Sequence, residues 1–488
     1  MTRNFNTLLV VKTLGALLVI EALFMAIPTL TSMLFHEPDF FSFLISTCFT
    51  FFVGILAVLI GRHADKHVGE REGYLIVALV WIVFSWFGML PFYLSGAVNS
   101  VSDAYFETMA GFTTTGATVI QDVEQMTHGI LLWRSLSQWL GGMGIIVLSV
   151  AVLPIFGLGG MQLYAAEVTG VSYEKLSPRI ADTAKKMWGL YVLLTASEAL
   201  FLWLFGMDWF DSVCHSFSTI ATGGFSTKNL SLMNYSPAIQ YTVAIYMLLS
   251  GINFTLLIYF LMGKPRRLWD DEETHWYLGA VLVFSLIIAS GLFFFGKNYD
   301  LSGLEKSFRE GFFMVTAAIT STGFAITDYM VWPSVLWVLL FLLMFTGASS
   351  GSTSGGIKWV RLAIIFKNGQ AEFKRRIHPN AILPVKFNGK PVTQQTLNNV
   401  VAFMIIYVLV ILTTTVVFCA CGLDFDEALG TTVSAIGNVG ISIGSYGPMG
   451  TYADFPVIAK WVMTLLMLVG RLEIFTILLL FSPALWRK

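Results

Sequence analysis

Four stretches of this chain align with one another without a gap: residues 103–117 (DAYFETMAGFTTTGA), 211–225 (DSVCHSFSTIATGGF), 310–324 (EGFFMVTAAITSTGF) and 427–441 (EALGTTVSAIGNVGI). Aligned on Gly116, Gly224, Gly323 and Gly440, each carries an acid 13 residues upstream: Asp103, Asp211, Glu310 and Glu427. Small residues recur six and five positions before the glycine (Ala110-Gly111, Ser218-Thr219, Ala317-Ala318, Ser434-Ala435). A bulky apolar residue stands four before it (Phe112, Ile220, Ile319, Ile436). The glycines are 108, 99 and 117 residues apart. Any fold for this chain must therefore place one short element four times, each time between two longer ones.

The longer ones are apolar. Hydrophobic residues make up 56% of the 488 and charged residues 12%, against about 45–50% and ~25% in soluble proteins. That composition excludes a soluble enzyme, a disordered chain and a secreted disulfide scaffold. The net charge of −1 gives no general attraction to nucleic acid. Helical spans of a bilayer need about 20 apolar residues. Ten runs qualify, some with interruptions: 8–35, 41–60, 75–95, 133–156, 187–206, 239–262, 276–296, 332–366, 399–421 and 456–484. The first contains Lys12 and Glu21 and lacks a small-residue cleavage site, so it reads as a retained helix. The expected fold is an all-α integral membrane protein of about ten transmembrane helices. Its divisions are two N-terminal helices (1–70) and four helix–pore-loop–helix repeats (71–165, 166–265, 266–385, 386–488) arranged pseudo-fourfold around one pore.

Lys and Arg set the orientation. With the N-terminus in the cytoplasm, 22 of the 29 basic residues fall inside, in 61–73, 157–187, 263–275, 358–390 and at the two ends. Both termini are then cytoplasmic, and the four repeated stretches enter from outside. Two or three helical turns cannot cross a bilayer, so each stretch must dip in and return. Irregular backbone at that depth is tolerated only when buried in protein or lining a water-filled path. The acid suits a helix N-terminus, the small residues allow close helix packing, and the glycine frees the backbone after the helix. Three residues and the glycine are expected to run extended. Four such loops around an axis give a ring of carbonyls that can replace a cation's hydration shell. The candidate ion-binding residues are Thr114, Thr115, Thr222, Gly223, Ser321, Thr322, Asn438 and Val439, with Gly116, Gly224, Gly323 and Gly440 as filter glycines.

The helix–pore-loop–helix unit in four copies, with GFTTTGAT (111–118), TIATGGFST (219–227), TSTGFA (320–325) and SAIGNVG (434–440), resembles the Trk/Ktr/HKT superfamily of cation transporters. It looks most like the bacterial TrkH-type membrane subunit, over essentially the whole chain. The resemblance implies a K⁺-conducting pore in each protomer, a homodimer in the bacterial inner membrane, and a cytosolic TrkA-type nucleotide-binding regulatory ring. It implies no organic cofactor and no enzymatic activity. The chain has no Walker A motif and no HExxH. Nucleotide control must therefore come from a partner, and a membrane-embedded enzyme is disfavoured. A secondary H⁺- or Na⁺-coupled solute transporter is the alternative, but that class prefers inverted repeats.

The eighth run is interrupted by Thr346–Lys358 (TGASSGSTSGGIK), which cannot hold a continuous apolar helix. Family resemblance makes it an intramembrane gate built on Gly347, Gly351, Gly355 and Gly356 beneath the third filter loop. A passive kink is the plainer reading. The G-x-S-x-G match within it needs a strand–turn–helix that this chain lacks. Arg471 and Glu473 are intramembrane charges of the last run. Arg471 is expected to face the pore and touch the gating loop, and Glu473 to anchor loop or helix backbone. A structural ion pair is the competing reading. Arg134, Glu198 and Lys460 are equally candidates for snorkelling or interhelical pairing. Segments 165–187 (partly amphipathic helix) and 358–390 (basic) are the largest inner loops.

Overall fold

The computed structural model describes residues 5–64, 69–144, 180–296, 301–380 and 383–486. Two N-terminal helices, Thr7–Leu34 and Phe40–Ile60, form an antiparallel pair. They meet at Gly15 and Gly54, where a Cβ on Gly15 would stand 2.7 Å from the Gly54 carbonyl oxygen. Small residues let membrane helices approach this closely.

Each repeat then supplies a long first helix, a pore helix and a second helix. In the first repeat these are Glu70–Gly88, Val101–Phe112 and His128–Trp139. The second has Ile180–Leu204, Trp209–Ile220 and Pro237–Ser250 followed by Phe254–Leu261. The third has Glu272–Gly296, Leu301–Ile319 and Ser334–Met344 followed by Trp359–Ile377. The fourth has Gln394–Ala420, Phe425–Gly437 and Val457–Arg471 followed by Ile474–Phe481. Lys386–Phe387 and Lys390–Pro391 pair as a small antiparallel hairpin.

Ten spans were expected; among the described residues six helices are long and apolar enough to cross a membrane, and eight if two bent pairs are counted. The bends are sharp, 103° between Pro237–Ser250 and Phe254–Leu261 and 112° between Val457–Arg471 and Ile474–Phe481. Of two further runs, 332–366 is divided by the 345–358 loop, and 133–156 is α-helical to Trp139 and continues as a π-helix over Leu140–Gly144. Residues 145–179, which hold most of the 165–187 segment, lie outside the described residues, as do Arg3, Lys66, Lys297, Arg487 and Lys488.

Asp103, Asp211 and Glu427 stand in the first turns of their pore helices, as the repeat predicts. Asp103 pairs there with buried Lys460 at 2.7 Å, and Asp211 accepts from Thr227 Oγ1 at 2.7 Å. Glu310 does not follow. The third pore helix begins at Leu301 and runs 19 residues, which puts Glu310 in its middle. The extra turns pack along Glu272–Gly296, with Gly311 close against the Ser285 carbonyl.

Candidate functional site

Each pore helix ends in the same way. In the first repeat Thr114 takes a left-handed conformation (φ 54°). Its amide donates to Gly111 O at 2.9 Å, and the next amide, Thr115 N, donates to Ala110 O at 2.9 Å. This is a Schellman cap. Thr222, Ser321 and Asn438 repeat the conformation at φ 55°, 53° and 52°. Their following amides, Gly223 N, Thr322 N and Val439 N, reach Ser218 O, Ala317 O and Ser434 O at 2.8, 2.9 and 2.9 Å. The loop is thus not extended from the helix end, as the sequence suggested; its first step is left-handed. The left-handed region costs an L-residue about 1–2 kcal/mol, and none of these four residues is glycine. The small residues six and five before the filter glycine are the ones whose carbonyls receive the cap. Because peptides are trans and planar, amides turned back onto the helix send the carbonyls of the same peptide units away from it.

The four loops close on one another. A Cβ on Gly116 would collide with Gly223 O, on Gly224 with Thr322 O, on Gly323 with Val439 O, and on Gly440 with Thr115 O. Each filter glycine therefore lies against the carbonyl before the glycine of the next repeat, in the order one, two, three, four and back to one. All four glycines have positive φ, from 75° to 89°. The candidate filter residues come together as one ring, and Thr114, Thr115, Thr222, Ser321, Thr322, Asn438 and Val439 are buried within it. Among the described residues no group of three or more His, Cys, Asp or Glu gathers as a metal site. The oxygens of the ring are backbone carbonyls, hydroxyls and the side-chain amide Oδ1 of Asn438.

Side chains fix the ring from behind. Gln138 donates to Gly223 O at 2.7 Å and accepts from Phe225 N at 3.1 Å, so it clasps the second filter loop on both sides of its glycine. Asn438 donates to Thr115 Oγ1 and to Met467 O, both at 2.9 Å, tying the fourth loop to the first. Buried Arg134 and Glu107 pair at 2.8 Å. Glu107 also accepts from Val119 N at 2.9 Å, and Arg134 donates to Ser226 O at 3.0 Å, so the chain leaving filters one and two is clamped to one ion pair. On the outer loops a hydrogen bond from Asn229 to Asp122 at 2.8 Å holds that carboxyl below the usual carboxylate range. Arg134 and Lys460 are thus interhelical partners rather than snorkelling chains. Glu198 is buried against the second pore helix.

The 345–358 loop lies under the ring and touches more of it than the third filter. Gly355 N donates to Ser321 Oγ at 2.8 Å, and Thr353 Oγ1 donates to Ile220 O at 3.2 Å. A Cβ on Gly355 would stand 2.9 Å from Asn438 Oδ1. The loop folds back on itself: Thr346 and Ile357 form an isolated bridge, and buried Lys358 donates to Ser354 O at 2.6 Å. Arg471 reaches Thr353 O at 2.6 Å, Gly141 O at 2.6 Å, Gly142 O, and Thr114 Oγ1 at 3.4 Å. It joins the loop to the first filter residue and to the π-helical stretch of the first repeat's second helix. Glu473 pairs with Arg361.

The sequence reading missed two features. Three of the four second helices are interrupted near this level, at Gly251–Asn253, Phe345–Lys358 and Leu472–Glu473, while the first passes from α- to π-helix at Leu140–Gly144; sequence reasoning singles out only the third. A glycine stands in each place or just before it: Gly141 and Gly470 lie where a Cβ would strike Phe112 O and Ile436 O, matching positions of pore helices one and four. The other is Glu273, buried at the start of the third repeat, which accepts from Ser350 N at 2.7 Å and Val360 N at 3.1 Å.

Comparison with known proteins agrees with this geometry. Residues 39–488 match the TrkH family model, described as a cation transport protein. The Trk system potassium uptake protein TrkH of Halomonas elongata is 41% identical, with 98% of this chain and 99% of that protein covered. TrkH of Escherichia coli K12 is 38% identical over the same shares. The crystal structure of the potassium transporter TrkH from Vibrio parahaemolyticus superimposes with a TM-score of 0.89 at 34% identity, covering 99% of this chain and 100% of that one. The chain belongs to the TrkH family of cation transport proteins.

Proposed function

We propose that this chain conducts K⁺ inward across the bacterial inner membrane, with Thr114, Thr115, Thr222, Gly223, Ser321, Thr322, Asn438 and Val439 as the ion-binding residues. The observation that carries the reading is the closed ring of four glycine–carbonyl contacts, in a chain whose full-length relatives are named potassium uptake proteins. A cation entering the ring exchanges hydration water for fixed oxygens. Caps and clamps hold those oxygens in place before the ion arrives, so little reorganisation accompanies binding. The four repeats (71–165, 166–265, 266–385, 386–488) are the quarters of that pore, behind the N-terminal pair.

The 346–358 loop, through Gly347, Gly351, Gly355 and Gly356, is the gate in this reading, and Arg471 is its counterpart on the last helix. Arg471 places a cation beneath the filter, where it opposes a second cation electrostatically as well as sterically. Its hydrogen bonds to the loop and to Gly141 and Gly142 hold the obstruction in place. Both termini face the cytoplasm, the working unit is a homodimer, and a cytosolic nucleotide-binding ring of TrkA type opens the gate. The name "Trk system" on the relatives supports a multi-component assembly.

Radioactive rubidium uptake into proteoliposomes, with rescue of a potassium-uptake-deficient bacterium at low external K⁺, tests the function. Failure of both with correctly inserted protein and its partner refutes it. Reversal potentials under K⁺, Na⁺ and pH gradients separate passive conduction from coupled transport.

A further inference from the structure

Glu273 sits at the start of the helix Glu272–Gly296, a residue type and place that ordinarily mean a solvated first-turn acid. Here it is only 6% exposed. Its Oε1 accepts from Ser350 N at 2.7 Å, Ser350 Oγ at 3.0 Å and Val360 N at 3.1 Å. Ser350 lies in the gating loop, and Val360 opens the helix that follows it, so one oxygen pins the loop to the element on its far side.

The residues just before Glu273 are held from the cytoplasmic side. Asn388 N donates to Glu272 Oε2 at 3.0 Å, Asn388 Nδ2 donates to Asp271 Oδ1 at 2.9 Å, and Glu272 N donates to Asn388 Oδ1 at 2.7 Å. Lys367 pairs with Glu272 and donates to Lys386 O at 2.9 Å. Asn388-Gly389 is the turn of the small hairpin, both residues at positive φ (50° and 72°), as a tight two-residue hairpin turn requires. The hairpin's Phe387 is buried against Val360, Ala363 and Ile364 of the helix after the gate, in a small core separate from the main one. The hairpin therefore grips both elements that Glu273 joins, and one peptide unit, about 3.8 Å between Cα atoms, separates the residue it holds from the residue that holds the loop.

We infer that Glu273 is the positioning residue that latches the gating loop shut, and that the 383–392 hairpin is the cytoplasmic handle through which the latch is moved. The inference rests on the reading of 346–358 as the gate. An outward shift of the hairpin draws 271–272 and the start of the following helix with it and withdraws the acceptor from Ser350.

Rubidium flux through the full-length chain in proteoliposomes tests this. Glu273→Gln should raise flux roughly tenfold, the scale of weakening a charge-assisted hydrogen bond in the closed form, and Glu273→Asp, which keeps the charged acceptor, should restore low flux. Asn388→Asp sets a third carboxylate against Asp271 and Glu272 and should also raise flux. Combined with Glu273→Gln it should add nothing, as residues on one path do not act independently. Misfolding lowers flux, so a rise cannot come from damage. Wild-type or reduced flux in Glu273→Gln, beside high flux in a chain shortened within 347–356, overturns the latch and leaves the gate standing. Additive gains from Asn388→Asp and Glu273→Gln overturn the handle. If the shortened chain shows no rise, the gate reading falls and the latch with it.

Discussion

At the filter loops the four repeats are nearly interchangeable; beneath them they diverge. The upper half carries four Schellman caps with φ between 52° and 55° and four glycines each against the next repeat's carbonyl. Beneath the ring the four second helices differ: one passes into a π-helix at Leu140–Gly144, two bend by 103° and 112°, and one is divided by the loop from 345 to 358. In the proposed function, the ring must present equivalent oxygens to one ion and tolerates little difference among its members. The gate of that reading needs only one of the four to obstruct the path, which leaves the other three to accommodate it.

Changes to the ring's glycines should therefore be costly and similar in every repeat, whereas changes below the ring should be uneven. The largest effect is expected for Gly224→Ala. Its Cβ would collide with Thr322 O in a backbone that disfavours side chains, and rubidium flux should be abolished; appreciable flux would show that the ring is not the ion path. Gly323→Ala, against Val439 O, should do the same. Shortening 347–356 should come next, increasing flux without altering the K⁺-to-Na⁺ preference measured by competition. Arg471→Gln should raise flux less, since the loop keeps its contacts to Ser321 and Ile220; a change in ion preference there would mean that Arg471 shapes the filter itself. The smallest effect is expected for Thr222→Gly. Relief of the left-handed strain, about 1–2 kcal/mol, less roughly 0.5–1 kcal/mol for glycine's greater freedom when unfolded, should raise thermal stability slightly in detergent. Ser321→Gly should show the same gain but raise flux too, because Ser321 Oγ also holds Gly355 N.

The upper half was legible in the sequence because its demands fall on the backbone. A collision with a neighbouring carbonyl admits only glycine, and close helix packing admits only small residues, so both leave marks at fixed spacing. Glu310 kept its register although its helix starts nine residues earlier than it; an aligned acid therefore does not by itself mark a helix end. The lower half was legible only where glycine and serine accumulate. Gly251 and Gly470 each stand singly and look like packing residues, and Gly141, beside Gly142 and Gly144, reads as part of a small-residue packing patch. Glu473 and Glu273 take their meaning from partners about a hundred residues away, Arg361 and the Ser350–Val360 pair, which no local pattern encodes.

The contacts around the filter run in a single direction. Every loop offers its glycine to one neighbour and its carbonyl to the other, so the assembly has a sense of rotation and no free end. A displacement in one quarter has nowhere to dissipate and must be passed on until it returns to its origin. Four unequal sequences are thereby held to a common diameter, much as the stones of an arch are held by thrust from both sides, and each quarter can vary its outer surface as long as the thrust it transmits is unchanged.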